Sequence, residues 1–242
     1  MANSFKTLQG EDTATTRTLL HEAIPITGTI VSGTYDTTTT IGTNIKTFSH
    51  GMYEAVYDYP YLSSSANHIF DITAGYSADC ALSSTANTQN AKKINIYNQM
   101  AQVLVGYDTG SQIQNFDADG STSTSTDKMK QCIFINFSRL LVKDEIKKNS
   151  FRLSLATSAS ARSGAGVRGI LKTVGDYGAQ TDYLTNSPAG EYGLLYTSSD
   201  GDAGEMTVGH VYYQAGIAAI TASLFSGSFG GPSATMTPDE DG

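Results

Sequence analysis

The sequence predicts a mainly β chain, sandwich-like, with one or two α-helices and an α+β arrangement as the alternative. Runs with a two-residue apolar period recur along it, such as Phe151, Leu153 and Leu155 alternating with Arg152 and Ser154. The one well-defined helical stripe runs from Asn90 to Val105. Charged residues make up 16%, well below the roughly 25% of an ordinary soluble domain, while Thr, Ser, Gly and Ala abound. At 242 residues the chain is long enough to bury a sizeable core without staples.

The organisation reads as a flexible N-terminal arm at 1–16, polar and Thr-rich, a single β-rich domain at 17–225, and a flexible C-terminal tail at 226–242 that is rich in Gly and Ser with an acidic end. Arg17 to Ala23 suits a short helix that ends ahead of Pro25, whose ring disfavours helix in the residue before it. Ile26 to Tyr35 alternates as a strand does, and Asp36 to Thr40 reads as a solvated loop or exposed edge. Met52 to Tyr61 is packed with tyrosine, which offers large contact area with a polar tip and fits a subunit interface or a half-buried core equally well.

In the helix, Ile94, Tyr97, Ala101 and Leu104 form the apolar stripe, Ile96, Met100 and Val103 widen it, and Gly106 is its stop. Residues 107–126 read as a long surface excursion anchored only by Ile113 and Phe116. Cys132 to Phe137 and Phe151 to Leu155 are strands. Around them fall seven of the fifteen Lys and Arg (Lys128, Lys130, Arg139, Lys143, Lys147, Lys148 and Arg152), a mixture with Asp144 and Glu145 that suits a solvated corner or a subunit contact. Residues 156–166 read as an exposed connection, Ile170 to Val174 as a short strand, Ser187 to Gly190 as a turn and Tyr192 to Tyr196 as a buried strand. After a loop at 198–205, Val208 to Phe225 forms two strands or one long bent one, with Gly216 as a bulge or close-approach position.

A formal charge of -8 argues against binding along a nucleic-acid backbone. The first residues lack the apolar core of a secretory signal, which predicts synthesis and folding in a cytosol. The longest mostly apolar run, Val208 to Phe225, carries His210, Gln214, Thr221 and Ser223 and fits core strands better than a membrane span. Cys80 and Cys132 lack metal or redox spacing and read as buried free thiols.

Chemistry finds little purchase. Asp117 and Asp119 before Gly120, and Asp200 and Asp202 before Glu205, alternate like calcium ligands but lack the remaining ligands of a calcium loop, so acidic turns are expected. His21, His50, His68 and His210 are scattered without zinc spacing. No nucleophile elbow is present, and Ser163 to Gly169 lacks the lysine and frame of a phosphate loop. Carboxylates for sugar hydrolysis would have to come from Asp58, Asp71, Asp144, Glu145, Asp182 or Glu191, with no pair distinguished by sequence. The expectation is no catalytic, cofactor-binding or metal-binding residue, no cofactor, and no enzyme.

Several long segments carry a resemblance: LLHEAIPITGTIVSGTY, YDYPYLSSSANHIFDITAGYS, KKINIYNQMAQVLVGYD, FINFSRLLVKDEIKKNSFRLSL, SPAGEYGLLY and VYYQAGIAAIT. Through them the chain resembles, over most of its length, a family of virion structural proteins of contractile-tailed bacteriophages that infect marine cyanobacteria and related marine bacteria. The resemblance implies a particle component made in the host cytoplasm and located in the virion, with other virion proteins and copies of itself as partners and no catalytic residue to carry over. Neck, baseplate and fibre-attachment positions in the tail region are all compatible with it. Two alternatives stand beside it: a receptor-binding or carbohydrate-binding module using tyrosines and the acidic loops near Asp117 and Asp200, and an envelope-degrading hydrolase.

Overall fold

A computed structural model describes residues 44–84, 89–121, 128–138, 145–156, 171–197 and 207–225. Both expected arms, the 17–23 helix, the 26–35 strand, the Asp36 to Thr40 loop, the 198–205 loop and nearly all of the 156–166 connection lie outside the described residues. The chain is mainly β. Its strands are β1 (Ile45–Thr47), β2 (Glu54–Tyr57), β3 (His68–Tyr76), β4 (Gln131–Phe137), β5 (Arg152–Ala156), β6 (Leu171–Gly175), β7 (Leu184–Ser187), β8 (Gly190–Tyr196), β9 (Thr207–Tyr212) and β10 (Ile217–Thr221). One helix, α1 (Asn90–Leu104), and two short 3-10 turns, Ala81–Ser84 and Ala222–Phe225, complete the described elements.

All ten strands join one antiparallel sheet in the order β1-β2-β3-β4-β10-β9-β8-β6-β5, with β7 paired to β8. Register makes the apolar pattern intelligible. Ile72, Ile135, Ala218, Val211 and Gly193 form one cross-strand row, and Thr73, Phe134, Ala219, His210 and Leu194 form the next. Because successive side chains point to opposite faces, the two rows serve two cores. The first lies against Phe137, Ile146, Phe151, Val174, Leu195 and Tyr213. The second lies under α1 with Tyr97, Ala101, Leu104, Phe116 and Met129.

On a flat sheet β4 and β5 would lie five strand spacings, about 24 Å, apart. Phe137 at the end of β4 and Phe151 just before β5 instead bring their rings to 5.8 Å, edge to face. The sheet therefore curls around its first core. Pairing thins along that curl, where β6 meets β8 only through Gly175 and Tyr196.

Gly106 ends α1 as expected: at φ +95°, a conformation that favours glycine, its N–H bonds the carbonyl of Ala101 at 2.9 Å. Ile96, Tyr97, Ala101 and Leu104 are buried, whereas Val103, expected to widen the stripe, is exposed. The helix lies close on β3 because Gly75 has no side chain. A Cβ there would stand 2.9 Å from the Tyr97 nitrogen and 3.0 Å from the Lys93 carbonyl oxygen, backbone atoms with little room to move.

The 107–126 excursion is exposed at 107–112, as expected, and turns into the core at Phe116. Tyr97, fully buried, donates from its hydroxyl to the Met129 carbonyl at 2.8 Å and accepts from the Phe116 N–H at 3.2 Å. That hydroxyl ties Phe116 and Met129 to the helix, with Phe116 in the core. The Val208 to Phe225 run resolves into β9 and β10, joined by a turn with Gly216 at φ +70°.

Candidate functional site

Where α1 stops covering the sheet, a groove of about 260 Å3 opens over β3 and β4. Phe134 and Ile96 floor it, Met100 and Gln99 line it from the helix, Asp71, Thr73 and Asn136 from the sheet, and Met52 and Tyr53 from the segment before β2. Met52 and Tyr53 are 38% and 39% exposed, high for side chains of their size and apolarity. The rim is ordered. Thr73 Oγ1 donates to the Met52 carbonyl, Phe48 and His50 stack at 5.2 Å, and Tyr53 tilts against both rings. Lys92 and Lys93 reach from α1 to the carbonyls of His50 and Gly51 at 3.3 and 3.4 Å. The carboxylate of Asp71 is engaged by His68 at 2.8 Å.

At the other end of the same face lies a buried polar cluster around a cavity of about 20 Å3, bordered by Asp117, Lys128, Tyr192, His210 and Tyr212. Asp117 pairs with Lys128 at 2.5 Å. Burial raises the Asp117 carboxyl despite the ammonium beside it. His210 sits among Phe116, Tyr192 and Tyr212, with Nδ1 3.2 Å from the Tyr212 hydroxyl. Loss of solvent pushes its pKa down to about 4, more than the carbonyls of Asp117 and Ala118 and the charge of Asp119 restore. His210 is therefore neutral at neutral pH. A 20 Å3 space admits about one water molecule, so this cluster is part of the core rather than a substrate site.

Asp176 organises the opposite core. Fully buried, it accepts from the backbone N–H of Asn149 at 2.7 Å and of Phe151 at 2.9 Å, from Arg152 at 3.0 Å and from the Tyr213 hydroxyl at 3.1 Å. Burial still raises its pKa, with these donors opposing. Nothing in the sequence distinguishes Asp176 from other turn aspartates. Its only local sign is its position between β6 and Gly178, where the chain turns.

The structure disperses the other residues weighed from the sequence. Asp117 and Asp119 belong to a close turn: Gly120, at φ +72°, packs so tightly that a Cβ would stand 2.5 Å from Leu184 and 2.9 Å from the Tyr192 hydroxyl. Asp200, Asp202 and Glu205 lie outside the described residues. Among the described residues no three His, Cys, Asp or Glu side chains gather as a metal site needs. Cys80 and Cys132 are free and buried. Asp58 is held by Asn67, Asp71 by His68 and Glu191 by Lys148, three separate engagements, and Asp144 lies outside the described residues.

The basic neighbourhood is likewise divided among distant acids: Lys128 to Asp117, Lys130 to Asp79, Lys148 to Glu191 and Arg152 to Asp176. Lys128, Lys148 and Arg152 thus pair with buried or partly buried carboxylates, whereas the Lys130–Asp79 pair is solvated. Among the described residues no helix is long and apolar enough to cross a membrane. No protein-family model, curated protein or solved structure matches the chain.

Proposed function

We propose that this chain is a structural subunit of a contractile-tailed bacteriophage virion, made in the host cytoplasm, that works non-enzymatically through contacts with other virion proteins and with copies of itself in the tail region. The observation that carries the reading is the groove beside α1: an ordered, largely apolar concavity with Met52 and Tyr53 exposed on its rim. Such surfaces mark contact sites on otherwise well-packed proteins. The resemblance of its long segments to virion structural proteins supplies the setting. The carbohydrate-binding alternative loses one support, since Asp117, its acidic candidate, is buried against Lys128. Gold-tagged antibody against the chain, imaged on purified particles, tests the proposal. Label confined to the neck, baseplate or fibre-attachment region is the expected result, and particles without label overturn it.

A further inference from the structure

In the buried polar cluster, two side chains keep a hydrogen-bonding atom without a partner among the described residues: Oδ1 of Asp117 and Nε2 of His210. The two residues are 5% and 2% exposed, so neither atom reaches bulk solvent. An unmatched polar atom in a folded interior is costly, and an internal water is its usual remedy. Both residues border the cavity of about 20 Å3, which has room for about one water molecule and nothing larger.

The neighbouring groups do not meet these two atoms directly. Oδ2 of Asp117 takes the Lys128 ammonium at 2.5 Å, which leaves Oδ1. Asp119 also lies beside Asp117. The Ser121 N–H holds the Asp119 carboxyl below its usual range, so it is ionised at neutral pH and has no hydrogen to give. On the histidine, Nδ1 stands 3.2 Å from the Tyr212 hydroxyl, for which it is the one described hydrogen-bond partner. A hydroxyl hydrogen with no other acceptor goes to Nδ1, which leaves the proton of the neutral imidazole on Nε2. The carbonyls of Asp117 and Ala118 are close enough to favour a charged ring, yet neither accepts from Nε2 with hydrogen-bond geometry.

The two atoms therefore call for a group that accepts from Nε2–H and donates to Oδ1. Water does both. A cation would meet the Nε2 proton head on and compete with the Lys128 ammonium for one carboxylate. We infer that a single water molecule is a fixed part of this fold, bound between Nε2 of His210 and Oδ1 of Asp117. It completes a chain of hydrogen bonds from the Tyr212 hydroxyl through the imidazole and the water to Asp117 and Lys128. That chain ties β9 to the segment that carries Phe116, and it is independent of what fills the groove.

Nuclear magnetic resonance of the full chain, enriched in heavy nitrogen and held at neutral pH, tests this. Long-range nitrogen–proton spectra should show His210 neutral with its proton on Nε2, and that proton should exchange slowly enough to be observed. A rotating-frame Overhauser spectrum should then give a dipolar cross-peak between Nε2–H and water, opposite in sign to an exchange peak. Deuteron relaxation dispersion, which counts long-lived internal waters, gives a second reading: His210→Phe removes the donor and should hold one fewer than the wild type. A proton on Nδ1 overturns the inference. So does an Nε2–H that lacks a dipolar peak to water or exchanges too fast to be seen, or an unchanged count in a folded His210→Phe chain. Should His210→Phe fail to fold, the wild-type tautomer and cross-peak decide alone.

Discussion

The sheet face under α1 has two ends of opposite character. From β8 to β10 it is sealed: Tyr192, His210, Tyr212, Phe116 and Tyr97 form a continuous ring-against-ring layer. From β2 to β4 it is open, and Phe134 serves both as the edge of the sealed core and as the floor of the groove. One cross-strand row, from Thr73 through Phe134 and Ala219 to His210, passes from one environment to the other. The strands are alike at both ends; what differs is the cover. Tyr97 holds Phe116 and Met129 over the sealed end, and nothing described is drawn over the other.

The comparison breaks most severely from below, where Asp176 holds the ends of β5, β6 and β9 together. Asp176→Ala leaves two backbone N–H groups, Arg152 and the Tyr213 hydroxyl without their shared acceptor. A loss on the order of 3–5 kcal/mol is expected, since the donors left without an acceptor cost about 1–3 kcal/mol each, read from urea unfolding followed by circular dichroism. A loss under 1 kcal/mol would show that the curl does not depend on this carboxylate.

The sealed end should also respond to pH. His210 in the folded chain has a pKa of about 4 against an ordinary 6.5. Below pH 6.5 the unfolded chain binds a proton that the folded chain refuses. The stabilisation is thus complete above pH 6.5 and is lost as pH falls toward 4, by about 3 kcal/mol at the lower limit. Asp117 and Asp176, both raised by burial, act in the opposite sense. Subtracting the profile of His210→Phe from that of the wild type isolates the histidine. Equal slopes in the two chains between pH 6.5 and 4 would contradict a buried neutral His210.

A smaller effect divides the two ends at the helix itself. Gly75→Val drives a side chain into the Tyr97 nitrogen and the Lys93 carbonyl. Such overpacking costs about 1–3 kcal/mol. Lifting α1 loosens the sealed layer first, because Tyr97 pins Phe116 and Met129. Amide hydrogen exchange should accelerate at Phe116 and Met129 ahead of Ile135 and Val211, and uniform acceleration would mean that the two cores are one cooperative unit.

The sealed end was legible in the sequence to the extent that its period was. Ile96, Tyr97, Ala101 and Leu104 follow from helical spacing, and β4, β5, β6, β8 and the β9–β10 hairpin from apolar alternation and Gly216. β3 was not read, although Phe70 and Ile72 alternate with Asp71 and Thr73. A charged residue and Gly75 within the run mask a strand that is half-buried through Ala74, with a core on one face and the groove on the other. Phe116 looked like a lone anchor because the interaction that buries it is a tyrosine hydroxyl nineteen residues away. Among the described residues the groove is an absence of cover, which no local pattern records. Among its residues Met52 and Tyr53 lay in a segment read from the sequence as a possible interface.

The smallest expected effect gives the comparison its functional edge. Tyr53→Ser removes an exposed ring whose described contacts are Phe48 and His50 on the same rim. Exposed positions of this kind change stability by no more than about 0.5 kcal/mol, so the unfolding midpoint should match the wild type. Its aromatic area is nonetheless a wall of the groove, and replacing it with a hydroxymethyl group takes away apolar surface worth about 25 cal/mol per Å2 to any chain docked there. Unchanged folding with reduced incorporation into particles is the expected pairing. A Tyr53→Ser chain that unfolds early would mean the rim belongs to the core, and the open end of the sheet would be sealed by other means than a neighbour.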